Sequence, residues 1–205
     1  MLIADKYELI ATRLIDEIGC PMFRIRALRD FGNIKAGDLG GYVSGEHNLS
    51  HEGNAWIADE AQASGRSRVY GDALLADRAR MSDRAQLYDA AQARGAVRIG
   101  GNTQIYGRAQ ISEFVTVSDY AQIFDDARVR GSIRIRGDAW IFARADMFGD
   151  GDVFGDALIT DKSAFYEYPQ TDSVVKIEPL LGGEQPNRPG APRSKGFSKP
   201  ANSFL

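Results

Sequence analysis

From Gly53 to Thr160 the chain repeats a six-residue pattern 18 times with no insertion or deletion, from GNAWIA, DEAQAS and GRSRVY to GDGDVF and GDALIT. Position 1 is Gly in ten repeats and Asp in six, with Glu113 and Ala143 the exceptions. These residue types tolerate a left-handed or tight turn, so the chain corners there. Position 5 is Ile, Val, Leu or Met in 16 repeats, Ala63 and Ala93 being the exceptions, and position 3 is Ala in 12. Side chains of an extended segment alternate with period two, so positions 3 and 5 share a face and point inward together.

About four extended residues followed by a two-residue turn close into a triangle of three hexads, an all-β, single-stranded parallel β-helix. Gly53–Thr160 then makes six coils; at roughly 4.7–4.9 Å per coil the prism is roughly 30 Å long. Alanine at position 3 keeps its narrow interior from being overpacked.

The 205 residues suit one domain with extensions. Lys6–Ile10 and Phe23–Leu28 alternate in short runs around Gly19-Cys20-Pro21, which predicts a β-hairpin in a cap spanning 1–40. Such a cap covers an edge that would otherwise pair with another chain. The β-helix domain spans 41–160 and a C-terminal segment 161–205, with a strand candidate at Ser173–Ile177. Beyond about residue 182 that segment is rich in Pro, Gly and Ser and reads as an extended, flexible tail or a strap.

The entry motif, Lys35-Ala36-Gly37-Asp38 through Gly41-Tyr42-Val43, sits in FGNIKAGDLGGYVSGEHNLSHEGNAWIADEA and leads into hexads of the VYGDALL type. This stretch resembles the YdcK-like hexapeptide-repeat proteins, common in enterobacteria and prophages, of the LpxA-like trimeric superfamily. The resemblance covers roughly residues 22–160 and implies a left-handed coil and a homotrimer. Periodicity alone leaves the hand open, since right-handed bactofilin-type helices also use hexads. One departure is the glycine two residues after the aliphatic, as in Val69-Tyr70-Gly71, where hexapeptide acyltransferases place it one after.

Residues 18 apart stack, so outward positions 4 and 6 sort into three faces. On the third face position 6 reads Tyr70, Tyr88, Tyr106, Phe124 and Phe142, and position 4 reads Arg68, Gln86, Gln104, Gln122 and Trp140. Such a continuous apolar strip calls for a cover. Candidates are a second copy, the C-terminal segment with Phe165, Tyr166 and Tyr168, another protein, or, last in rank, a flat ligand or single-stranded nucleic acid. The second face carries Arg80, Arg98, Arg134 and Arg136, and the first carries Arg94, Arg128 and Arg130. Stacked arginines form a solvated stripe or a site for phosphate groups, acyl-CoA among them.

Net charge is −3, which gives no bulk attraction to nucleic acid or anionic membrane. No apolar run approaches the ~20 residues of a membrane span, and MLIADKYELI lacks a signal peptide's plan, so cytoplasmic residence is expected. Cys20 is alone and no CxxC metal site exists, while three histidine zinc ligands are not available from His47 and His51. The superfamily resemblance implies acyl transfer from acyl-CoA as the enzyme alternative, with His47 or His51 as general base. Against it, the repeats carry no inserted loop to wall an active site. The reading favoured by the sequence is a non-catalytic scaffold without cofactor or metal, binding itself or a partner protein through the aromatic–glutamine face.

Overall fold

The computed structural model describes residues 5–160. The strand expected at Ser173–Ile177 and the aromatics Phe165, Tyr166 and Tyr168 lie outside the described residues. Within them the chain is an all-β solenoid. Its three sheets hold short parallel segments, with partners 18 residues apart, such as Gln104 on Gln86 and Gln122 on Gln104. Position 3 and 5 side chains fill the interior, and from Ala55 to Ile159 nearly all are under 3% exposed.

Every one of the 18 position-1 residues has positive φ, from 53° at Asp59 to 106° at Gly131. The N–H groups of positions 2, 4 and 6 donate to carbonyls of the next coil, as in Arg66 to Asp83, Gln62 to Ala79 and Ser64 to Met81. That pattern passes over the position-1 N–H. Aspartate repairs this, because each of the six position-1 aspartates accepts the position-1 N–H one coil on. Asp83 Oδ2 takes Gly101 N at 2.8 Å and Asp119 Oδ2 takes Gly137 N at 2.9 Å; Asp59, Asp77, Asp89 and Asp125 do likewise. Asp therefore tolerates the left-handed turn and also supplies the missing acceptor. Asp83→Asn, which keeps both properties, is expected to stay within about 0.5 kcal/mol of the parent in urea unfolding. Asp83→Ala, which leaves the Gly101 N–H without its acceptor and an alanine at positive φ, should lose about 1–3 kcal/mol.

The cap departs from the expected hairpin in extent. Strand β1 runs Tyr7–Ile15 and β2 runs Pro21–Ala27, antiparallel to each other, and β2 pairs in turn with β3, Leu39–Val43. β3 then lies parallel to Gln62–Ala63. The hairpin thus prolongs the second-face sheet to nine strands and is part of it rather than a separate lid. The pairing of β1 with β2 shifts register between Ala11 and Ile15, yet the Thr12 hydroxyl donates to the Met22 carbonyl at 2.6 Å and the strand continues. The Asp16 carboxylate accepts Ile18 N and Cys20 N and closes the turn.

β3 and a bridge from Leu49 to Val69 form a further, partial coil beneath the six counted in the repeats. Its residues break the hexad pattern because Gly40 and Gly41 are needed for close approach: a Cβ on Gly41 would lie 2.3 Å from the Ala61 carbonyl oxygen. Asn48 is fully buried in this coil and its amide bonds Ser44, Gly45 and Ser67. Lys6, also fully buried, plugs the open end, with Nζ donating to the Ala55 carbonyl at 2.9 Å and lying 5.1 Å from the Phe31 ring centre.

Candidate functional site

Because the coils stack in register, one position-6 residue per coil forms the third-face column. Its rings are parallel to within 3–6° at 4.8–5.0 Å between centres, from Tyr70 through Tyr88, Tyr106 and Phe124 to Phe142. The ring faces of Tyr88, Tyr106 and Phe124 are therefore covered on both sides by their neighbours, and the column offers ring edges outward. A nucleobase or flat ligand needs a free π-face on which to stack. A protein surface that interdigitates with ridges does not.

The glutamine column runs beside it. Tyr70 Oη donates to Gln86 Oε1 at 3.0 Å and Tyr88 Oη to Gln104 Oε1 at 3.3 Å, each one coil on. Burial raises the pKa of Tyr70, Tyr88 and Tyr106 above the ordinary phenol value, and neighbouring phenols add to this at Tyr88. The hydroxyls stay protonated donors, which leaves the glutamine amide N–H groups to bond outward. The ends of the strip differ from its middle. Arg68 lies over Tyr70, 5.7 Å from the ring centre, while Trp140 is only 7% exposed and meets Phe124 edge-on. Gln122 completes the stacked glutamines, paired with Gln104 below and Trp140 above.

The arginines expected to bind anions fall on two faces. On the second face Arg80 and Arg98, one coil apart, share one oxygen of Glu17, at 2.7 and 3.2 Å. The hairpin tip brings that carboxylate across the face, enclosing a groove of about 410 Å³ between Asp16–Ile18 and the Ser64, Ser82 and Ser118 column. Arg134 lies beside Asp152 in the same sheet, and Arg136 packs over Phe154. On the first face Arg130 pairs with Asp146 at 3.5 Å and lies over Phe148, Arg128 is registered with Asp146, and Arg94 donates to Gln92. Of these seven arginines, Arg80, Arg98 and Arg130 are thus paired with two of the chain's own carboxylates. Glu17 was invisible to repeat counting because its contact is long-range and aperiodic; only the acids in the hairpin turn hinted at it.

Both histidines are engaged at the entry coil. His47 Nε2 lies 2.6 Å from the Gly65 carbonyl oxygen. His51 stacks on Tyr7 at 4.3 Å with rings 1° apart, and its Nδ1 accepts the Lys6 backbone N–H at 3.1 Å. The latter bond fixes the tautomer with the proton on Nε2. Among the described residues no carboxylate or hydroxyl is hydrogen-bonded to either ring, and no group of three His, Cys, Asp or Glu side chains could hold a metal ion. No helix among them is long and apolar enough to cross a membrane.

A scan against protein-family models finds no match, and neither does a search of the curated proteins.

Proposed function

We propose that this protein is a non-catalytic interaction scaffold, a rigid β-helix whose third face binds a second copy or a partner protein. The observation that carries this reading is the column of five half-buried aromatic rings, stacked on one another and flanked by glutamine amides. Aromatic edges beside amide and arginine groups make protein-interface anchors. The engagement of His51 with Lys6 and Tyr7 of the cap, and of His47 with the Gly65 carbonyl, supports a structural role for both. The finer placement, a left-handed YdcK-like protein of bacterial or prophage type residing in the cytoplasm, belongs to the same proposal, as does a homo-oligomer, for which the resemblance favours a trimer.

Two measurements test it. Tyr88→Asp combined with Tyr106→Asp puts two charges into the strip and should lower the mass seen by light scattering; an unchanged mass removes the strip as a self-association face. Acyl-CoA chemistry is tested by equilibrium binding of acetyl-CoA. No binding is expected, and a micromolar or tighter Kd abolished by His51→Ala or Arg94→Ala would overturn the scaffold reading in favour of an acyltransferase-like enzyme.

A further inference from the structure

The third face is wider than its aromatic column, and its outer edge is charged in a graded way. Position 2 of successive hexads reads Arg66, Arg84, Asn102, Tyr120, Asp138 and Asp156 from the capped end upward. Arg66, Arg84, Tyr120 and Asp156 are exposed and Asp138 is half-buried. Among the described residues none of these four charges has an ion-pair partner. Arg68 adds to the basic end. The turn aspartates soften but do not reverse the gradient, since Asp83 lies in the lower half of the face and Asp119 in the upper half.

We propose that two copies of this chain dock third face to third face with their axes antiparallel, about a two-fold axis lying in the interface across the solenoid. This rests on the docking reading above, names the partner as a second copy, and puts a two-fold dimer in place of the trimer that the resemblance favours. Charge complementarity selects the arrangement. A two-fold centred between the Tyr106 and Phe124 coils keeps each column opposite itself and reverses its order. Arg66 then faces Asp156 of the second copy, and Arg84 faces Asp138. The same operation sets Tyr106 against Phe124, Tyr88 against Phe142 and Gln104 against Gln122. All these pairs satisfy the symmetry at once, because every column has the same one-coil spacing. Strips of equal pitch set each ring edge of one copy directly opposite a ring edge of the other. A parallel arrangement keeps the arginine ends at the same height and offers no position-2 arginine a position-2 aspartate, so it forgoes this complementarity.

Four exposed or half-buried surface residues allow a test that leaves the core intact. Variant one carries Arg66→Asp and Arg84→Asp; variant two carries Asp138→Arg and Asp156→Arg. The unmodified full chain is expected at twice its chain mass by native mass spectrometry and light scattering. Each variant alone opposes like charges at both ends of the interface and should dimerise at least tenfold more weakly. Mixed in equal amounts, the two variants restore both sets of opposite charges and should form a heterodimer at near-parental affinity. A mixture that stays unassociated overturns the antiparallel pairing, even if Tyr88→Asp with Tyr106→Asp still lowers the mass and keeps the docking face. A three-chain mass overturns the two-fold while preserving self-association. A single-chain mass for the unmodified protein, as a strip covered by its own C-terminal segment would give, also overturns it.

Discussion

Gly41→Ala is expected to destabilise the protein by about 3 kcal/mol or more, a loss at the upper end of single-site effects. The cause is not backbone conformation, since Gly41 is not among the positive-φ glycines. A Cβ there would lie 2.3 Å from the Ala61 carbonyl oxygen and 2.8 Å from Ile57 Cγ2. The oxygen belongs to the ladder: it accepts the Tyr42 N–H at 2.8 Å, so moving it breaks the bond that seats β3 on the first full coil. Gly37→Ala is the control. Gly37 has φ +95°, but a methyl group added there would meet nothing within 4 Å, so its substitution carries only the cost of the left-handed conformation, about 1–2 kcal/mol. Urea midpoints of the two variants separate steric from conformational loss, and equal midpoints would contradict the packing of the entry coil described above.

The second large effect concerns pH. Enclosure at the solenoid's end lowers the Lys6 pKa from 10.5 to about 8; desolvation is the main cause, helped by the positive charge of Arg29 and opposed by Asp72. Between those values the unfolded chain holds a proton that the native chain has released, so stability rises with pH. The gain is complete above the unfolded value and lost as pH falls through about 8. Tyr7 works in the opposite sense. Its hydroxyl donates to the Leu49 carbonyl at 2.7 Å, and burial raises its pKa, as it does for the column phenols. Those groups contribute stability below pH 10 that is lost as pH climbs toward their raised values. The expected profile therefore rises by about 2–3 kcal/mol from pH 8 to pH 10 and then turns down. Lys6→Met should remove the rising limb and leave the falling one. A flat profile between pH 8 and 10 in the unmodified chain would show that the ammonium keeps its charge inside the cap at no cost.

The β-solenoid was legible because two local rules recur without a break. Gly or Asp at position 1 marks the corner, and an aliphatic at position 5 marks the inside; together they place every outward column from Arg68 to Trp140. The entry was less legible. Gly40 and Gly41 look like turn glycines in the sequence, but their role is to let two backbones touch, and that depends on residues 16 to 20 positions away. Lys6 reads as an ordinary charge in an alternating strand, since its burial is decided by Phe31 and Ala55. The reach of Glu17 to Arg80 and Arg98 lies beyond any periodic rule. Within the columns, the identity of the residues could be read, but the parallel stacking that consumes the ring faces could not, because it depends on the side-chain rotamers.

The stacking interval has a consequence for how this protein's length can change. Three hexads complete a coil, so removing or duplicating 18 residues keeps every column and every turn carboxylate in line with its receiver. A change of six residues also preserves the interior, because positions 3 and 5 are equivalent on all three faces. It would, however, rotate everything beyond it by one face: the rings above the edit would continue over another sheet, and the aromatic column would be cut in two. Folding alone accepts edits in units of six. The display surface accepts only units of eighteen, so the spacing of its length variants would be a record of whether that surface is used.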